Sequence, residues 1–286
     1  MRALDPEVGD VVWAAIKGLI PAPPRTHPLG CHRPRVDDRL CFQVILVRLA
    51  TGCSWEDAER LCGNKVSDTT VRSRRDEWIT AGVFDRLARE AIAAYDRIIE
   101  LDLSDVAVDG SQHKSPAGGE GTGPNPTDRG KLGHKWSILT DLRGIPFGWA
   151  LDGANRNDSV LLAPTLDAAD ALGLLGDVET IWLDRGYDSG ATRDRLTARA
   201  LDDAIIAKKR PRGTAKNTPT PHQPMGLRWP VERTNSWLSN FGQLRRNTDR
   251  DRTRRESTFA LAVTFLLAAK LIDWRNRWSP KAEPIR

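Results

Sequence analysis

The stretch DVAVDGS, Asp105 to Ser111, is where the chain changes character. Three consecutive apolar residues, two of them β-branched, lead into an acidic residue and a Gly-Ser pair, which reads as a short buried strand ending at Asp109 in a turn. Before it, apolar residues recur at helical spacing. After it, short apolar runs alternate with helical ones.

Downstream, the segment from Ser115 to Gly130 is rich in glycine and proline without periodicity and is expected to be a mobile loop. Two strand candidates follow, HKWSILTD (134–141) and GIPFGWALDG (144–153), joined by a turn at Asp141 to Gly144. Asp158 or Ser159 can cap a helix carrying Leu161, Leu162, Leu166 and Leu172. Then come the strand VETIWLD (178–184), a helix from about Ala191 to Ala200, the strand DAIIAKK (203–209), a Pro-rich loop from Pro211 to Pro224, and further helices. That order specifies an α/β fold, a sheet layered with helices, over residues 101–286.

Upstream, residues 1–100 read as a small all-α domain with apolar periodicity in Val11–Ile20, Leu40–Leu49 and Phe84–Ile99. Ser54 can cap one short helix ending near Gly63, and Ser67 or Asp68 another running to Thr80. This is a helix-turn-helix outline whose second helix, TTVRSRRDEWIT, carries Arg72, Arg74 and Arg75 as candidate DNA contacts. Plain helix packing fits the same outline equally well. Cys31, Cys41, Cys53 and Cys62 form no Cys-x-x-Cys pair, so reduced thiols rather than a zinc site are expected. Asp5, Glu7 and Asp10 interrupt any leader-like stretch, and the longest apolar run, Phe259–Ala269, is short for a bilayer; a cytoplasmic protein with a buried core helix is expected. Residues 205–286 hold 18 Lys and Arg against 6 Asp and Glu, although the whole chain carries only +5. A cationic C-terminal third suits a polyanionic partner, most simply nucleic acid.

Three acidic residues stand out by position. Asp109 and Asp184 close the strands VAVD and TIWLD, and Glu232 lies in a helix whose Val231, Thr234, Leu238 and Phe241 form the packed stripe. Arg228 and Ser236 share the face of Glu232. Carboxylates of this kind suit Mg2+, a hard cation that takes oxygen ligands and is gripped by one or two carboxylates plus substrate phosphates. Two such ions activate the attacking oxygen and stabilise the leaving one in phosphoryl transfer.

The strings VAVDGS around Asp109, LDRGYDS around Asp184 and LRWPVERTNSWLSNFGQLRRNTDR around Glu232 resemble bacterial insertion-sequence transposases of the IS-five group and its relatives. GKLGHKWSILTDLRGIPFGWALDGANRNDS and, in the N-terminal part, DDRLCFQVILVRLATGCSW and WITAGVFDRL extend the resemblance over most of the chain. It implies an RNase H-like mixed sheet flanked by helices and a DDE site of Asp109, Asp184 and Glu232 holding two Mg2+ ions, with Mn2+ as substitute. It further implies a DNA transposase that cleaves the terminal inverted repeats of its element and joins them to target DNA, working as a homodimer or larger synaptic assembly. The same carboxylates would also serve a hydrolytic nuclease such as a junction resolvase; an inactive domesticated copy that only binds DNA is the other alternative, and the intact acidic residues disfavour it. Arg228 and Arg233 would lie near substrate phosphates. Related families carry a Tyr and a Lys where this chain has Met225 and Ser239, and Arg245 and Arg246 are the cations placed to compensate. Lys131, Lys135, Lys208 and Lys209 are further candidates for phosphate positioning. Trp229 or Trp237 could stack on an unpaired base, although core packing is the commoner use of tryptophan.

Overall fold

Side-chain caps set the helix starts in the first hundred residues of the computed structural model, which describes residues 4–22, 35–207 and 227–278. Helix α1 spans Pro6–Lys17 with Asp5 accepting from the Glu7 amide, and α2 spans Asp38–Thr51 with Asp37 as its cap. Ser54 caps α3 (Trp55–Leu61) and Ser67 caps α4 (Asp68–Thr80), the two starts expected from the sequence. Helix α5 covers Val83–Ile99 and buries Phe84, Leu87, Ile92 and Tyr95 along one face.

Beyond Ile99 the chain enters the sheet. Strand β1 is Asp105–Lys114, β2 Gly123–Pro124, β3 Leu132–Thr140 and β4 Pro146–Gly153. Helix α6 (Asp158–Asp170) leads to β5 (Thr180–Leu183), α7 (Gly190–Thr197) and β6 (Ala204–Ile206), and α8 (Trp229–Ser239) follows. Asn157 caps α6, one residue before the expected Asp158. β1 pairs antiparallel with β3, β3 antiparallel with β4 and β2, and β5 runs parallel to both β1 and β6. The result is the expected mixed sheet with helices beside it.

Two differences follow from pairing that no local pattern reveals. β1 does not stop at Asp109 but continues to Lys114, because β3 offers partners as far as Gly133. The segment 115–130 is folded rather than a free loop: Ser115 N–H donates to Leu132 O, Gly123 and Pro124 pair with β3, and Asn125 N–H donates to Lys131 O. Its glycines allow close backbone approach.

The chain divides into two compact units. One joins residues 1–99 with 240–244 and 253–286, and the other comprises 100–239 and 245–252. The expected boundary near residue 100 is present, but the expected unit 101–286 is too large: α9 (Gly242–Arg245) contributes its first three residues, and α10 (Arg252–Trp278) nearly all of its length, to the helical unit. The reason is apolar burial. Phe265 of α10 stacks on Phe42 of α2 at 6.2 Å, and Phe259, Val263 and Leu267 are fully buried. Although α10 is long and apolar enough by composition to cross a bilayer, 67% of that apolar window is buried within the protein, as in the core helix expected there.

In the helical unit, Gly52 ends α2 in the left-handed region (φ +73°), and a Cβ there would lie 2.6 Å from the carbonyl carbon of Gly242. Arg48 donates to Gln243 at 2.8 Å beside this backbone crossing. Gly52→Ala should therefore destabilise the protein by about 2 to 4 kcal/mol, combining the left-handed penalty with overpacking. Gly176→Ala, where a Cβ meets nothing within 4 Å, should leave the unfolding midpoint unchanged in the same thermal or denaturant melt.

Candidate active site

The parallel register of β1 and β5 sets Val108 against Leu183, so Asp109 and Asp184 are the next residues on adjacent strands. β5 ends there. Asp109 stands mid-strand at the point where β1 loses its parallel neighbour, and Asp184 turns into a short 3-10 segment, Arg185–Tyr187, that it caps by accepting from the Gly186 amide at 2.6 Å. Asp109 Oδ1 accepts from the Gly110 amide at 2.8 Å, leaving Oδ2 for other partners. At Gly110 a side chain would meet the Asp158 carboxylate, which would have to swing aside.

Asp109 shares its sheet face with Ser111 and, across the strand pair, with Trp136, whose Nε1 donates to Asn235 of α8 at 2.8 Å. That contact lays the Glu232 helix on the face that carries Asp109. The expected stripe is buried, with Val231, Thr234 and Leu238 at 0% exposure, while the Glu232 side chain remains 56% exposed on the flank. Arg228, just before the helix, donates to Asp109 Oδ2 at 3.2 Å and lies 3.5 Å from Glu232 Oε1. Burial alone would lower its pKa, but the fields of Asp109, Asp184 and Glu232 overturn that and raise it. Asp109 is pushed up by burial and by Asp184, with Arg228 and the Gly110 amide opposing. The Arg228 shift records three carboxylates acting on one guanidinium.

The turn between β3 and β4 fixes α8. Fully buried Asp141 accepts from the amides of Asp102, Arg143 and Ile145 at 3.2, 2.9 and 2.6 Å. The carbonyls this turn presents are then taken from above, Gly144 O by the Thr234 hydroxyl and Arg143 O by Arg233. The sequence marked Asp141 only as a turn former, and its link to the Glu232 helix depends on contacts some 90 residues apart. Burial pushes the Asp141 carboxyl up to about 6 despite its amide donors. A folded-state pKa above the unfolded value favours the protonated form on folding, so this group's contribution falls as pH rises from about 4 to about 6. Asp141→Asn should flatten that part of the stability profile. Asp141→Ala, which strands three amides, should cost about 3 kcal/mol and speed hydrogen exchange at Ile145.

Tyr187 in LDRGYDS is fully buried, and its phenol pKa is raised well above the usual value, by burial first and then by Asp158, Asp109 and Asp184. It is a neutral floor beneath the carboxylates that the sequence reading passed over.

The basic candidates fare unevenly. Lys135 is buried, with Nζ 2.9 Å from both Asp158 and the Arg156 carbonyl, so its ammonium is consumed inside the fold and the expected phosphate contact is corrected. Arg74 and Arg75 are likewise buried, Arg74 paired with Asp38 and bonded to Val36 O at 3.2 Å, Arg75 at 3.1 Å from Asp76 and over the Trp55 ring. With Val71 and Trp78 they form the packed face of α4, so the expected groove-reading face is also corrected; Arg72 is exposed and paired with Asp68 at 2.6 Å. Lys131 is exposed, 3.9 Å from Asp128. Arg233 lies between Trp229 and Trp237, 4.5 and 4.7 Å from their ring centroids. Arg245 and Arg246 are exposed. Lys208, Lys209 and Met225 lie outside the described residues.

Among the described residues no three His, Cys, Asp or Glu side chains form a ready-made metal cage. The donor set nevertheless fits a hard divalent cation: it is all carboxylate oxygen, and a cation, the Arg228 guanidinium, already answers its charge. Mg2+ sites that use substrate phosphates as ligands need only one or two protein carboxylates and no closed cage.

Comparison with known proteins agrees with this geometry. Residues 8–88 match the family described as "Putative transposase of IS4/5 family", and residues 96–267, more than half of the chain, match the "Transposase DDE domain". The "Putative transposase for insertion sequence element IS402" of Burkholderia cepacia is 39% identical over 129 residues, covering 43% of this chain and 57% of that protein, so the chain spans little over half the length of this relative. The "Insertion element IS402 uncharacterized 16.2 kDa protein" of the same organism is 35% identical over 123 residues, 42% of this chain and 82% of its own length. With the DDE domain match running through the sheet, both aspartates and the Glu232 helix, the chain belongs to the IS4/5 family of DDE transposases.

Proposed function

We propose that this protein is a DNA transposase that binds the terminal inverted repeats of an insertion sequence, cleaves DNA there, and transfers the freed 3′ end to a target. Asp109, Asp184 and Glu232 are its metal-holding carboxylates. The observation that carries the reading is the meeting of Asp109 and Asp184 at one point of the β1–β5 register, with Glu232 tied to them through Arg228.

A pair of Mg2+ ions, or Mn2+ in their place, would supply Lewis-acid stabilisation to the attacking and leaving oxygens of phosphoryl transfer. The protein's own part is positioning. Asp109, with one oxygen held by the Gly110 amide, presents the other to the site. Asp184 is oriented by its cap on Gly186, and Glu232, more exposed, completes the set from α8. Arg228 offsets part of the carboxylates' charge in the free protein and becomes a phosphate ligand when DNA brings its own negative charge. Arg233, which bonds the Arg143 carbonyl and lies over the Trp229 and Trp237 rings, seats α8 and is the second candidate for a phosphate contact. The working form is a homodimer or larger assembly, since two ends must be held together for joining.

With Mg2+ and a duplex bearing the element's ends, the protein should cleave and yield a joined product. Asp109→Asn, Asp184→Asn and Glu232→Gln should each lower cleavage by about a thousandfold or more, roughly 4 kcal/mol of barrier, while leaving duplex binding intact in a gel-shift assay. Normal cleavage by all three variants would overturn the site.

A further inference from the structure

Five residues beyond Asp109 on β1, the sheet unit holds a second concentration of charge that the carboxylate site does not use. Lys114 ends the strand, and its backbone forms a bridge with Arg246, reinforced by the Asn247 amide donating to Lys114 O at 2.9 Å. This brings the segment after α8 alongside the end of β1, so Lys114, Arg245 and Arg246 rim one open cleft of about 480 Å³. All three are exposed, and none has a salt bridge among the described residues. The rest of the lining is polar: Asn125, and Thr127, whose hydroxyl bonds both Asn125 Oδ1 and Gln112 Oε1 at 2.8 Å. Asp128 also lines the cleft, 3.9 Å from Lys131. His113 is buried, stacked on Trp136 at 3.5 Å, and burial drives its pKa well down, so it contributes an uncharged base to the cleft.

Three cations left without carboxylates, on backbone fixed by hydrogen bonds rather than on a frayed surface, form a receptor for an anion larger than a single small ion. We infer that this cleft is a phosphate-backbone clamp, distinct from the carboxylate site, that grips duplex DNA without taking part in its cleavage. The inference rests on the transposase reading. Along β1, at about 3.3 Å per residue, Lys114 lies roughly 17 Å from Asp109. By strand alternation the Lys114 side chain leaves the sheet face opposite to that of Asp109, so the clamp meets phosphates other than those at the carboxylates. Phosphate contacts of this kind set register and affinity without reading sequence.

The test is the salt dependence of binding. Affinity for a fluorescent duplex of arbitrary sequence is measured by anisotropy across about 50 to 200 mM salt for the full chain and for the triple variant Lys114→Ala/Arg245→Ala/Arg246→Ala. The slope of log K against log salt should become shallower by about 0.9 for each lost phosphate contact. The variant Arg245→Lys/Arg246→Lys keeps the charges and should keep the slope, and an unchanged melting temperature in the alanine variant separates lost charge from lost fold. An unchanged slope in the folded triple variant, or equal loss in the charge-preserving one, overturns the clamp. Asp109→Asn, assayed in parallel, tests the other reading: if it fails to cut but binds with the wild-type slope while the triple variant also shows the wild-type slope, the clamp falls and the carboxylate site stands.

Discussion

The parallel pairing of β1 with β5 is the constraint on which the candidate site depends. Two strands far apart in sequence are locked so that Val108 faces Leu183, and the aspartates that follow have no freedom to separate. Like charges so placed repel, and burial of Asp109 worsens the cost. The fold answers with Arg228, drawn in from the residue just before α8 to face all three carboxylates. A short parallel ladder thus concentrates negative charge and a single guanidinium offsets part of it, in a site whose ordinary counter-charge, on the proposed function, is metal.

Around this pair the structure spends its buried polar groups on orientation. Asp141 gathers three amides to shape a turn, the turn offers two carbonyls, and α8 takes both with Thr234 and Arg233. Trp136 reaches Asn235 from the sheet. On the other face Lys135 and Asp158 neutralise each other beside Gly110, whose lack of a side chain leaves the Asp158 carboxylate room. Such contacts are costly to lose, because each protects a polar group already removed from water. They hold the helix bearing Glu232 in place while its carboxylate stays exposed.

Charge in this protein has to be read by position rather than by count. The chain's modest excess of Lys and Arg includes residues that the fold consumes: Arg74, Arg75 and Lys135 are buried with partners. A buried ion pair does not present charge to a ligand, and it adds little net stability. What remains for a polyanion is a smaller set, in which the exposed Arg245, Arg246 and Lys114 are brought together by a backbone bridge.

Local signals in the sequence determined a good deal by themselves. Ser54 and Ser67 cap the helices they were expected to cap, the stripe of Val231, Thr234 and Leu238 faces the core, and the alternation of strands and helices after Leu101 gave the layered sheet. Each depends on neighbours within about four residues, where hydrogen bonding and periodicity are already fixed by the chain. Tertiary structure alone decided the rest. β1 runs on past Asp109 because β3 is there to pair with it, and residues 115–130 fold because Leu132 and Lys131 take their amides. α10 joins the N-terminal helices because Phe42 offers it an aromatic partner more than two hundred residues away. Whether an arginine is a free cation or a buried one depends on which carboxylate the fold brings to it, and that partner is encoded nowhere near it in the chain.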